Sequence, residues 1–281
     1  MQSADVTKIK PYYVKYEIIP YEEDMCHEFK GHKNLCKEEL PRFSTDSGVK
    51  KGSRKPVSRN LCGFLNTGLG GTVYCGVVDN GAIMGLKLTQ YQKDHVVGAL
   101  DDLMARYKPK VPADRYCVKF LPVLGPTVKE EDRDEMAMLS MTEIVDSDDR
   151  KRPHKFRNPD YCWCDIDSKA RCENGIILSD YVIEFRIKPW DYDDTSKKGL
   201  GQLVNMLPIH ADEEGKVYFR HQASLMKYSI TTIPNAAYFA TRTRCNDIIE
   251  QLKNEISLVK SSMEKSNINT KENPVTTFMY Q

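Results

Sequence analysis

The chain has 281 residues, 40% of them hydrophobic and 29% charged, and a formal net charge of +1. That is enough chain to bury a sizeable core as one large or two small globular domains, and the near-neutral balance confines any nucleic-acid surface to a local patch. Nine scattered cysteines, a polar Met1–Lys10 and the lack of any run of about 18 apolar residues point away from secreted and membrane-spanning classes, towards a reduced, cytoplasmic protein whose membrane or organelle-surface anchor, if any, lies outside this chain.

In chain order, Tyr12–Ile19 alternates apolar and polar residues and is predicted as a strand or arm within residues 1–20. Glu28–Gly31 is predicted as a short strand. Residues 42–56 mix Arg and Lys with Ser, Gly and Pro, the composition of a loop. Val57–Asn66 is predicted helical, with Val57, Leu61, Phe64 and Leu65 on one face. Gly68–Gly71 turns the chain into a strand over Thr72–Val78, and Asp79-Asn80-Gly81 is a hairpin turn. Lys93–Tyr107 is an amphipathic helix with Val96, Val97, Leu100, Leu103 and Met104 as its stripe.

Residues 116–124 and 136–145 are predicted as strands, 146–160 as a polar, basic excursion, and Tyr181–Pro189 as a further strand. Asp212–Gly215 turns into a strand over Tyr218–Ala223. Cys245, Ile249, Leu252, Ile256, Val259 and Met263 recur at alternating spacings of four and three, the a/d seam of a heptad helix over 240–265. Residues 266–281 read as a polar tail.

Three acids and a lysine stand at the ends of these short strands: Glu23, Glu28, Asp79 and Lys30. Carboxylates are the hard oxygen ligands that Mg2+ or Mn2+ needs, and a cation beside them meets a phosphate, which is the inventory of a metal-dependent phosphodiesterase. The competing reading is a set of solvated surface acids, since Glu22, Glu23 and Asp24 are adjacent, and Glu22 can replace Glu23 if the register slips. Strand parity puts Lys30 on the face of Glu28 and His27 on the other. Lys50, Lys51, Arg54, Lys55, Arg59, Lys108 and Lys110, and further on Lys151, Arg152, Lys155 and Arg157, are candidate RNA-backbone contacts. Tyr12, Tyr13, Tyr16, Tyr161 and Trp163 are candidates for stacking on unpaired bases. His154, Cys162, Cys164 and Cys172 carry metal-binding chemistry, but their spacings are not those of a common ribbon or finger, and unrelated reduced thiols are the better reading.

Glu23, Glu28, Phe29 and Lys30, then Phe64, Asn66, Thr67, Gly70, Gly71, Gly76, Val77 and Asp79, then Tyr218, Arg220, Ala223 and Ser224 form three ordered matches. This pattern resembles the Schlafen family, whose fold is related to the AlbA-like divergent domain, over roughly residues 20–228. The resemblance implies an α+β domain over 21–230, with a mixed β-sheet and flanking helices, followed by the heptad-patterned helix. It implies an endoribonuclease with a three-acid site falling on Glu23, Glu28 and Asp79, cutting small-RNA precursors, tRNA or rRNA with Mg2+ or Mn2+.

The family's zinc site, one His and three Cys, is not recovered: Arg115 stands where a His would precede Cys117, and no Cys pair follows Ile183–Pro189. The pattern therefore argues against a family-type structural zinc. Vertebrate relatives pair two similar lobes, so a partner lobe from a homodimer or a related Schlafen-like subunit is implied here, held through Cys245–Met263. The catalytic subunit of a multi-subunit Schlafen-like endonuclease processing piRNA precursors at the 5′ end would have this form. The alternatives are a non-catalytic RNA-binding or assembly subunit with the same fold, and a transcription-linked interaction module joined through the helix.

Overall fold

The computed structural model describes residues 11–41, 54–143, 145–159, 162–194, 205–229 and 231–271. The elements in chain order are β1 (Tyr13–Val14), β2 (His27–Lys30), α1 (Val57–Thr67), β3 (Gly71–Cys75), β4 (Leu86–Lys87), α2 (Gln90–Arg106), β5 (Tyr116–Leu124), α3 (Arg133–Met141), α4 (Trp163–Glu173), β6 (Asp180–Ile187), β7 (Val217–His221), β8 (Ser224–Tyr228) and α5 (Ile233–Lys271). They form two compact units, one ending at Tyr228 and the other beginning at Ser229.

The first unit is built on a mixed sheet in the order β1-β5-β6-β3-β2, with the short β4 also on β6. β1 runs parallel to β5 and β2 parallel to β3, while β3 and β5 flank β6 antiparallel. β6 is central and buried on both faces, as its run Tyr181-Val182-Ile183 and Phe185 predicts. Its pleat divides the core. Ile183, Phe185 and Ile187 pack with Leu61, Phe64 and Leu65 of α1 and Leu100, Leu103 and Met104 of α2. Val182 packs on the opposite side with Ile19, Phe29, Tyr74 and Val77. The fold class is α+β.

α1 begins after Pro56 and stops at Gly68, whose φ of 72° is the left-handed conformation glycine adopts without cost. The following glycines let β3 approach the helix closely: a Cβ on Gly71 would sit 2.5 Å from the Phe64 ring. α2 opens on a capping box between Thr89 and Gln92. β7 and β8 form a separate two-stranded hairpin. Asn66 of α1 fastens it, donating to the carbonyls of Tyr218 and His210, each at 2.9 Å.

The structure corrects several expectations. Residues 133–141 form helix α3, where a strand is predicted from 136. Met, Ala and Leu are strong helix formers, and only Ala137 is buried while Met136, Met138, Leu139 and Met141 stay exposed, so the apparent alternation carries no face. Val97 lies outside the buried stripe of α2, at 41% exposure. Helix α4 lies in a stretch given no element from sequence; it buries only Cys164 and so shows no apolar stripe. The segment expected as a strand or arm enters the main sheet through β1, with Tyr12, Val14 and Ile19 buried.

The second unit contains α5. Along it Ile249, Leu252, Ile256, Val259 and Met263 form an exposed apolar stripe at heptad spacing, with Cys245 also exposed. No helix among the described residues is long and apolar enough to cross a membrane.

Candidate active site

The pleat of β2 turns Glu28 and Lys30 to the same side, and the Lys30 ammonium donates to Glu28 Oε1. Glu28 is buried and its second oxygen is held by Arg220 of β7, Nη1 to Oε2 at 2.5 Å. Asn60 of α1 donates to Glu28 Oε1 at 2.9 Å. Arg220 is itself enclosed, its side chain 0% exposed. Its other donors reach the carbonyls of Asp24 and His27, and its guanidinium lies over the Phe64 ring at 5.1 Å. One buried arginine therefore locks the β7–β8 hairpin to β2 and fixes the Glu28 carboxylate. The pair is buried charge against buried charge, and each partner satisfies the other.

Glu23 lies before β2 and accepts the backbone N–H of Phe29 at 3.0 Å through Oε1. Asp79 sits in the turn after β3, closed by Gly81 N–H to the Val78 carbonyl at 2.8 Å, and is exposed. Glu23, Glu28, Lys30 and Asp79 line one pocket of about 680 Å³ with Gly31, His32, Arg54, Lys55, Asn60 and residues 223–226. The lining therefore holds all three predicted acids and the lysine. Glu22 is exposed and takes no part in the lining. His27 faces away, stacked on Tyr21 at 4.5 Å and paired with Asp24 at 2.9 Å.

Three carboxylates in this lining stand with three cations, Lys30, Arg54 and Lys55, so its formal charges balance. His32 is a lining residue that the sequence reading passed over. It continues the alternation of Glu28 and Lys30, which is the signal that finds it. Burial, with help from Arg54 and Lys30, pushes its pKa down to about 4, so the ring is neutral at pH 7. Its Nδ1 accepts from the Asn34 N–H at 3.2 Å, which leaves the proton on Nε2.

The candidate RNA contacts divide. Lys50, Lys51 and Tyr161 lie outside the described residues. Arg54 and Lys55 line the pocket. Arg59 does not stand free: Glu214 holds it at 2.9 Å and the Tyr218 ring lies beneath it. Lys108 and Lys110 are exposed beyond α2 and outside the pocket lining. Lys151, Arg152 and Arg157 pair with Asp148, Asp149 and Asp102, while Lys155 is exposed. Of the aromatic residues, Tyr12 is buried, Tyr13 donates to Glu184 at 2.6 Å, and the Trp163 ring packs with His154 and Arg152. Only Tyr16, at 61% exposure, remains open to a base among those described.

The acids that resemblance assigned and the hairpin that closes over them lie within one contiguous match. Residues 23–228 match the model of the family described as Schlafen, AlbA_2. The chain belongs to the Schlafen family, and that membership is compatible with a nuclease or RNA-related function.

Proposed function

We propose that this chain is a metal-dependent endoribonuclease whose active site is the pocket of Glu23, Glu28, Asp79 and Lys30. The observation that carries the reading is that these side chains, from β2, the segment before it and the turn after β3, share one lining with Arg54 and Lys55. The donor set fits Mg2+ or Mn2+: all three are hard carboxylates, Asp79 has no side-chain partner among the described residues, and Glu23 uses one oxygen on the backbone. A bound divalent ion would add Lewis-acid stabilisation of the charge that builds on the phosphate. Glu28 is oriented by Arg220 and Asn60, so it presents a fixed carboxylate. Lys30 contacts the scissile phosphate, and Arg54 and Lys55 hold neighbouring phosphates. His32 offers an Nε2–H donor at the lining. RNA of the small-RNA or piRNA-precursor, tRNA or rRNA class is the substrate. A second lobe, from another copy or a related Schlafen-like subunit, joins through the exposed seam of α5.

One observation favours a second reading, a non-catalytic RNA-binding subunit. Both Glu28 oxygens are already engaged, by Lys30, Asn60 and Arg220, so metal binding there requires Lys30 to give way. The two readings separate in a cleavage assay on labelled short RNAs and tRNA with Mn2+ or EDTA, with the chain alone and with candidate partners. Metal-dependent cutting in the wild type, lost in Asp79→Asn and Glu28→Gln with RNA binding kept, supports the nuclease. RNA binding without cutting in every combination supports the binding subunit.

A further inference from the structure

Apart from the carboxylate pocket, one group of side chains has the chemistry of a metal site. His95 of α2, His154, Cys162 and Cys164 bring their ligand atoms within 4.8 Å of one another, and no other group of three or more His, Cys, Asp or Glu does so among the described residues. The sequence places Cys172 with them, but Cys172 is exposed near the far end of α4 and His95 takes the place instead. Cys117 on β5 is not in the group either, so the arrangement is not the family-type pattern sought around that residue.

The three S···N edges of this group are close to those of a tetrahedron around a zinc ion, and its S···S edge is shorter. Zn–S and Zn–N bonds of about 2.3 and 2.0 Å predict S···N edges of about 3.5 Å and an S···S edge of about 3.8 Å. The observed S···N separations are 3.2 Å (Cys162 to His95), 3.4 Å (Cys162 to His154) and 3.6 Å (Cys164 to His95), and the two sulfurs are 3.3 Å apart. The sulfurs are thus close without being bonded. Two thiolates and two neutral imidazoles would also cancel the 2+ charge of zinc, which a buried site requires. Three of the four ligands are buried, under the rings of Phe156 and Trp163.

The surroundings show what such a site would do. α4 buries a single residue of its own, and its local core is only Tyr91, Cys162 and Cys164 with Val145 and Trp163. It is otherwise fastened by polar links, Gln92 to Asp165 at 2.8 Å and Arg171 to Glu143 at 3.0 Å, and the segment before it by Arg150 to Asp94 at 2.7 Å. A cluster so poor in apolar contact is the kind that a structural metal stabilises.

We propose that His95, His154, Cys162 and Cys164 bind one structural zinc ion that clamps α4 and the segment before it to α2. The site is independent of the nuclease reading, since none of the four lines the carboxylate pocket.

The test is metal analysis of the purified full chain by plasma mass spectrometry after dialysis against a chelating resin. About one zinc per chain is expected. Cobalt replacement is expected to give the intense visible bands and thiolate charge-transfer absorption of a tetrahedral S2N2 site, which a carboxylate site does not produce. The Cys162→Ser/Cys164→Ser double variant should lose the zinc, and Cys172→Ser should keep it. Should the double variant fail to fold, mercurial titration of the wild type decides: zinc should leave in step with the modification of two thiols. Absence of tight zinc from the wild type with no uptake of Zn2+ or Co2+ by the reduced chain, retention of zinc by the double variant, or zinc release unlinked to thiol modification would each overturn the proposal.

Discussion

The carboxylate pocket and the His/Cys cluster solve opposite electrostatic problems. In the pocket, charged groups balance one another across a solvent-open space: Glu28 against Lys30 and Arg220, with Asp79 left exposed. In the cluster the groups are enclosed by aromatic rings; burial pushes the His95 ring down to about 4 and drives the Cys164 thiol upward. The first arrangement keeps charge available for a ligand that comes and goes. The second keeps its groups uncharged. A hard, exchangeable cation suits the one and a soft, resident cation the other.

The contrast also divides the exposed Asp79 of the pocket from the buried Arg220 behind it. Asp79→Asn removes an exposed acid with no side-chain partner, so RNA cleavage should fall by about 10²-fold or more while the denaturation midpoint stays within error. Arg220→Met strands the buried Glu28 carboxylate and should cost about 3–5 kcal/mol in urea unfolding, enough to leave much of the chain unfolded. A small loss in the second experiment would mean that Glu28 reaches water without its arginine. Zinc removal should lower the thermal midpoint, while leaving Mg2+ and Mn2+ out of the buffer so that cleavage stops should leave it unchanged; a common response to both would collapse the distinction between the two sites.

A smaller effect belongs to Glu213, beside Asp212. Burial raises its pKa from 4.5 to about 7, against the Ser58 hydroxyl bond at 2.8 Å. The folded state therefore binds this proton more tightly than the unfolded chain. That stabilisation is fully present below pH 4.5 and is lost as pH rises to about 7. On the order of 3 kcal/mol should disappear across this window and be absent from the pH profile of Glu213→Gln, measured by urea unfolding. Its neighbour Glu214 runs the other way. Despite some desolvation, Lys216, Arg59 and Lys37 hold it down at about 2, so its contribution is lost only as pH falls from 4.5 towards 2.

Much of the pocket was legible because its parts are local. Glu28 and Lys30 lie two apart on a strand, and Asp79 lies in a turn marked by Asn-Gly. The helices α1 and α2 and the strands β3, β5, β6 and β7 announce themselves by apolar periodicity. What escaped was either non-periodic or non-local. α4 has one buried residue and so no stripe, and α3 mimics alternation with exposed methionines. His95 escaped because it belongs to an ordinary amphipathic helix, 67 positions from the cysteine it meets. Arg220 was visible as part of a motif, but its role as the partner of Glu28 exists only once β7 lies against β2.

That last contact spans 192 positions. During synthesis the acids of β2 emerge early, while the arginine that orients Glu28 and the hairpin residues 223–226 that wall the pocket are among the last parts of the first unit to be made. A nascent chain therefore carries the acids without a formed pocket, and the candidate site can close only when nearly the whole unit has left the ribosome.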